Sequence, residues 1–196
     1  LPLAKYRTQK YFKHEGTYFP ETMTPWGTYT NDNYGWDRKK LADGVSENMY
    51  IRYLWEGSLE LSKLMIDYYE FTNDKNTFIN EYLPFIKETV LFYNAHYKKD
   101  STNHIRIEPA QALESYFEGV INPLPEIAGL TTVLEKITAY KNIIDDPGFI
   151  NKAQALYSEL PPLPTQTIKG QTALAAGYNL GPRTNVEKPE LYAVFP

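Results

Sequence analysis

Met49, Tyr50, Tyr53, Leu54, Leu61, Leu64, Met65 and Tyr68 return at intervals of three and four residues, and this stripe constrains the fold more than any other feature of the chain. The spacing places them along one side of an α-helix, which must bury that side against another element. Ser46 is a candidate N-cap, Glu47 suits the positive end of the helix, and Asn73-Asp74 closes the run, so a helix is predicted over residues 46–73. A second helix starts at Asn76 or Thr77 and carries Phe78, Ile79, Leu83, Ile86, Val90, Leu91 and Phe92 as far as Tyr97, with Pro84 kinking or dividing it. The short polar turn between the two implies an antiparallel hairpin.

The same logic extends the helical reading over most of the chain. Residues 1–13 read as a helix that breaks at Gly16. Pro125 fits the first turn of a helix with a stripe of Ile127, Leu130, Leu134 and Ile137. Asp145 or Asp146 with Pro147 opens a shorter one carrying Phe149, Ile150, Ala153, Leu156 and Tyr157. Residues 165–169 allow a small β-excursion, and Asn185-Val186-Glu187 can cap a final helix. The expected fold is therefore all-α, made of antiparallel helical hairpins with long ordered loops gathered at one rim. No segment repeats at a fixed period, which argues against a consensus solenoid.

Two stretches carry no helical stripe and are the candidates for function. Residues 17–44 contain two prolines, three glycines and the tryptophans Trp26 and Trp36. A segment this long and aromatic is expected to be an ordered loop lining a cleft. Residues 105–116 bring together Glu108, Gln111 and Glu114, with Asn122-Pro123-Leu124-Pro125-Glu126 following. A carboxylate in an ordered loop against apolar walls can have its pKa raised enough to donate a proton at neutral pH, and Glu114 is the candidate for that role. The competing reading makes Glu114 a capping or ion-paired loop carboxylate.

Each remaining candidate has a binding role and a plainer one. Glu108 and Gln111 can meet sugar hydroxyls or hold the loop through its backbone. Glu21, Trp26, Tyr29 and Trp36 form a sugar platform, in which an aromatic face stacks on the C–H face of a pyranose, or pack the loop against itself. Asn48 can reach the rim from the start of the long helix. Glu126 can bind substrate or serve the helix dipole in a first turn.

Composition narrows the classes of function. Seventeen tyrosines among 15% aromatic residues suit a helical core with polar ends or a sugar-lined cleft. A formal charge of -4 offers no basic footprint for nucleic acid. No run approaches the roughly 18 apolar residues of a membrane span. The chain has no cysteine, so disulfides, thiolate catalysis and cysteine-ligated zinc are excluded. His14, His96 and His104 lack metal-ligand spacing, and no nucleotide or nucleophile-elbow motif is present, so no metal and no cofactor is expected.

The order of a long helix pair, Glu108-Pro109-Ala110-Gln111-Ala112-Leu113-Glu114-Ser115, Asn122-Pro123-Leu124-Pro125-Glu126, Leu160-Pro161-Pro162-Leu163 and Pro189-Glu190-Leu191-Tyr192-Ala193-Val194-Phe195-Pro196 resembles the second half of the (α/α)6 six-hairpin toroid of inverting glycoside hydrolases. The nearest characterised group it resembles is the bacterial α-L-fucosidase and α-L-galactosidase family. A related bacterial glycosidase-like group shares segments similar to Phe19-Pro20-Glu21-Thr22 with Trp26-Gly27, to Glu108 through Glu114 and to Pro189 through Pro196. The resemblance implies a glycosidase, inverting and exo-acting on plant or host glycans, with Glu114 at the position of the general acid. It also implies a periplasmic or secreted location and a partial catalytic-type helical domain over residues 1–196, completed by missing portions of the same polypeptide. Leu113 and Ser115 stand where that family has proline and asparagine, and Asn185-Val186-Glu187-Lys188 replaces its histidine pair. The alternative is a non-catalytic helical module that binds carbohydrate, or serves as scaffold, through the aromatic loop of residues 17–37.

Overall fold

The computed structural model describes residues 1–20, 23, 41, 42 and 44–194. Six α-helices are present among the described residues: α1 (Pro2–Tyr11), α2 (Gly57–Thr72), the single turn α3 (Lys75–Thr77), α4 (Leu83–His96), α5 (Leu124–Ala139) and α6 (Pro147–Ser158). A π-helical turn, Phe78–Tyr82, joins α3 to α4.

The core lies where α2, α4, α5 and α6 meet. In α5 the stripe Leu124, Ile127, Leu130, Val133, Leu134 and Ile137 is wholly buried, and each such side chain contributes about 1.5–3 kcal/mol. Opposite it lie Leu59 and Ile66 of α2, Ile86, Val90 and Phe92 of α4, and Phe149, Ala153 and Leu156 of α6. Helix α5 approaches α2 closely at Gly129, where a Cβ atom would stand 2.9 Å from that of Leu59. Gly16 is required more strictly still. Its φ is +87°, and a Cβ there would fall 2.1 Å from the backbone nitrogen of Phe92.

The helix boundaries follow local chemistry. Asn73 ends α2 in a left-handed conformation, and Asp74 accepts from the amide of Thr77 at 3.1 Å to start the next run. Pro84 lies in the first turn of α4, directly after the π-helical turn that separates α4 from α3. The chain passes Pro84 continuously, because it follows a widened turn that already relaxes the i to i-4 pattern a proline would disrupt. Asp146 caps α6 through the amide of Phe149 at 2.9 Å, with Pro147 behind it.

The expected all-α class is incorrect. The chain is mixed, 49% helical and 12% strand, with two small antiparallel sheets. Strands β1 (Ala110–Ala112) and β2 (Tyr116–Val120) pair in one, and β3 (Thr165–Ile168) and β4 (Gln171–Leu174) in the other. The first hairpin buries Ala112 and Val120 against Ala176. The second turns at Lys169 and Gly170, both at positive φ, as a two-residue hairpin needs.

The helix predicted over residues 46–73 also starts later than its apolar spacing predicts, at Gly57 rather than near Ser46. Gln111, fully buried, donates to the carbonyl of Tyr50 at 3.2 Å and accepts from the amide of Tyr53 at 2.5 Å. Arg52 donates to the carbonyls of Ser46 and Glu47. These side chains supply the hydrogen bonds that a helix would otherwise have made for the backbone of residues 46–53. In place of a final helix, the chain forms a 3-10 stretch at Pro189–Val194 that packs on α5.

Candidate functional site

Glu114 sits in the turn that joins β1 to β2, a single 3-10 turn, Leu113–Ser115. Leu113 has φ of 52°, a left-handed conformation that costs a branched side chain about 1–3 kcal/mol. The turn keeps this shape because residues 184–187 bind it from many directions. The amide of Glu114 donates to Oε2 of Glu187 at 2.8 Å, and Nδ2 of Asn185 donates to Oε2 of Glu114 at 3.1 Å. Thr184 Oγ1 donates to the carbonyl of Glu114 at 2.8 Å, its amide to the carbonyl of Ser115 at 2.8 Å, and the Ser115 hydroxyl to the carbonyl of Glu187 at 3.0 Å. Strain of this kind persists only where the surroundings over-determine it.

Beside the turn is a cleft of about 510 Å³. Phe19 and Phe85, stacked at 4.8 Å between ring centroids, form part of its wall with Leu54 and Leu113. Glu56, Glu60, Glu187 and Tyr192 supply its polar groups. The Tyr192 hydroxyl is pushed above its ordinary pKa by burial first, then by its hydrogen bond to Glu60 and the negative charges of Glu60, Glu56 and Glu187. Glu56 and Glu60 also line a smaller cavity of about 150 Å³ on the far side of Tyr192, against α5.

Behind the cleft, Glu126 is 2% exposed in the first turn of α5, and its Oε2 has no hydrogen-bond partner among the described residues. Burial, then the charge of Glu56, holds its carboxyl well above the usual carboxylate range. The same two carboxylates help push up the phenols of Tyr93 and Tyr97, in both of which burial is the largest cause.

The sequence-predicted residues are dispersed. Glu114 flanks the cleft between two of its lining residues, Leu113 and Glu187. Glu108, exposed, pairs with Arg106 Nε at 2.7 Å. Gln111 has both ends of its amide engaged with residues 50 and 53, and Asn48 accepts from the amide of Tyr50 at 3.0 Å. Glu21, Trp26, Tyr29 and Trp36 lie outside the described residues. Sequence reasoning missed Glu56, Glu60 and Tyr192 as cleft residues. The available signal was Glu56 and Glu60 spaced one turn apart at a helix start.

Among the described residues no group of three or more histidines and carboxylates is placed to hold a metal ion, and no helix is long and apolar enough to cross a membrane. No known protein family and no curated protein matches the chain. Function must therefore be argued from the site's own chemistry.

Proposed function

We propose that this protein is an inverting glycoside hydrolase with Glu114 as the general acid. One observation carries the reading: a strained turn holds Glu114 at the edge of a 510 Å³ cleft with aromatic walls, and a cleft carboxylate pins that turn. Glycoside hydrolysis of this kind needs two carboxyl groups on rigid supports, one to protonate the leaving oxygen and one to activate water. Aromatic side chains such as Phe19, Phe85 and Tyr192 suit the apolar faces of sugar rings. Asn185 engages one oxygen of Glu114 and fixes the plane of its carboxyl group, while Oε1 has no hydrogen-bond partner among the described residues.

A second reading has one observation in its favour. Glu114 flanks the cleft and does not line it, as a non-catalytic carbohydrate-binding module would allow.

A panel of aryl glycosides and of plant and host oligosaccharides, assayed with the wild type and Glu114→Gln, separates the two. A hydrolase with this acid loses about 10²–10⁴-fold in kcat in the variant while sugar binding persists. Binding without cleavage by the wild type supports the module instead.

A further inference from the structure

The general acid needs a counterpart that takes the proton of the attacking water. We propose that Glu187 is that general base, an assignment that rests on the glycosidase reading above. Among the described residues three carboxylates line the cleft, and their surroundings differ. Glu60 accepts the hydroxyl hydrogen of Tyr192. Glu56 is 6% exposed and stands against the buried carboxyl of Glu126, which keeps it at the back of the cleft.

Glu187 is half-buried and is fixed from two sides. Its Oε2 receives the amide of Glu114, and its own carbonyl receives the Ser115 hydroxyl and the Arg183 guanidinium. Its Oε1 has no hydrogen-bond partner among the described residues and remains available to a water in the cleft. It is also the cleft carboxylate bonded directly to the residue that carries the acid, so one clamp sets the position of both. Such shared support is what a two-carboxylate reaction demands of its scaffold.

The step balances without another reactant. The protonated carboxyl of Glu114 gives its proton to the glycosidic oxygen as the bond from that oxygen to the anomeric carbon breaks, and the bonding pair stays on the oxygen. The carboxylate of Glu187 takes a proton from water as the water oxygen bonds to the anomeric carbon from the opposite face. Glu114 is left ionised and Glu187 protonated, and exchange with solvent restores both.

Glu187→Gln and Glu187→Ala in the intact protein test the assignment on 4-nitrophenyl and 2,4-dinitrophenyl glycosides of common hexoses, 6-deoxyhexoses and pentoses. Glutamine retains an oxygen for the Glu114 amide but cannot accept a proton. A base therefore predicts a loss of about 10²–10⁴-fold in kcat for Glu187→Gln, with KM nearly unchanged. It further predicts that azide restores turnover to Glu187→Ala and yields a glycosyl azide. If Glu187→Gln stays within about tenfold of the wild type while Glu114→Gln is inactive, Glu187 is only a clamp, and the glycosidase reading stands. If Glu187→Gln loses activity but azide restores none to a folded Glu187→Ala, the base assignment also falls. A wild type that cleaves nothing in the panel overturns both readings.

Discussion

Acid should destabilise this fold through a half-buried imidazole pair. His14 Nε2 lies 2.9 Å from His96 Nδ1, and His14 Nδ1 lies 2.7 Å from the carbonyl of Glu15. A carbonyl only accepts, so Nδ1 of His14 carries the proton, its Nε2 accepts, and His96 donates from Nδ1. His96 stacks on Phe92 at 4.6 Å and is edge-on to Phe12 at 4.8 Å. Burial, and then the neighbouring His14, lowers the pKa of His96 from 6.5 to about 4. In the unfolded chain the ring takes up its proton near 6.5, so the unfolded state binds more protons over the interval down to about 4. The contribution is intact above pH 6.5, is lost progressively as pH falls through that window, and changes no further below it. At about 1.4 kcal/mol per pH unit the window amounts to about 3 kcal/mol. Urea unfolding between pH 7 and pH 4 measures it, with His96→Gln as the reference because glutamine retains a donor and does not titrate. The wild type should lose about 3 kcal/mol more than the variant across the window. Parallel curves for the two proteins would refute the argument.

Glu126→Gln should act in the opposite direction on the pH axis. The folded carboxyl titrates above its unfolded value, so the wild type loses stability as pH rises through the carboxylate range and beyond, and glutamine removes that decline; urea midpoints at pH 5 and pH 8 report it. Gln111→Ala leaves the amide of Tyr53 and the carbonyl of Tyr50 without their partner and should cost about 2–3 kcal/mol, read by thermal unfolding. Gly16→Ala forces a Cβ into the backbone of α4 at positive φ, and a loss above about 4 kcal/mol is expected, visible as a collapse in soluble yield or in the thermal midpoint.

Helices declared themselves wherever their apolar spacing and end signals agreed. The stripe of Ile127, Leu130, Leu134 and Ile137 with Pro125 is α5, and Asp146 with Pro147 is the start of α6. The stripe through Met49 to Leu54 misled, because Gln111, a residue far along the chain, takes over the backbone bonds of that segment. No local window contains that competition. The β1–β2 hairpin was hidden for a related reason: its strands are three and five residues long, and its apolar side is completed by Ala176, far downstream.

The candidate site was legible as residue types and not as an assembly. Glu114 and Glu187 appear 73 positions apart, and only the folded chain shows one carboxylate receiving the other's amide. Glu126 was visible as a first-turn acid, but its burial depends on how α5 packs. The predicted platform of Glu21, Trp26, Tyr29 and Trp36 falls outside the described residues, and Phe19, which was not singled out for it, lines the cleft.

The clamp on the Leu113–Ser115 turn also sets an order of events during synthesis. Residues 184–187 leave the ribosome some 70 positions after the turn they hold, whereas α2, α4, α5 and α6 are complete by residue 158. Closing a loop of that length is an entropic cost that the helical core can prepay by bringing the two segments together first. The scaffold can therefore mature while Glu114 still lacks its support, and the proposed chemistry is withheld from the nascent chain until residues 184–187 dock.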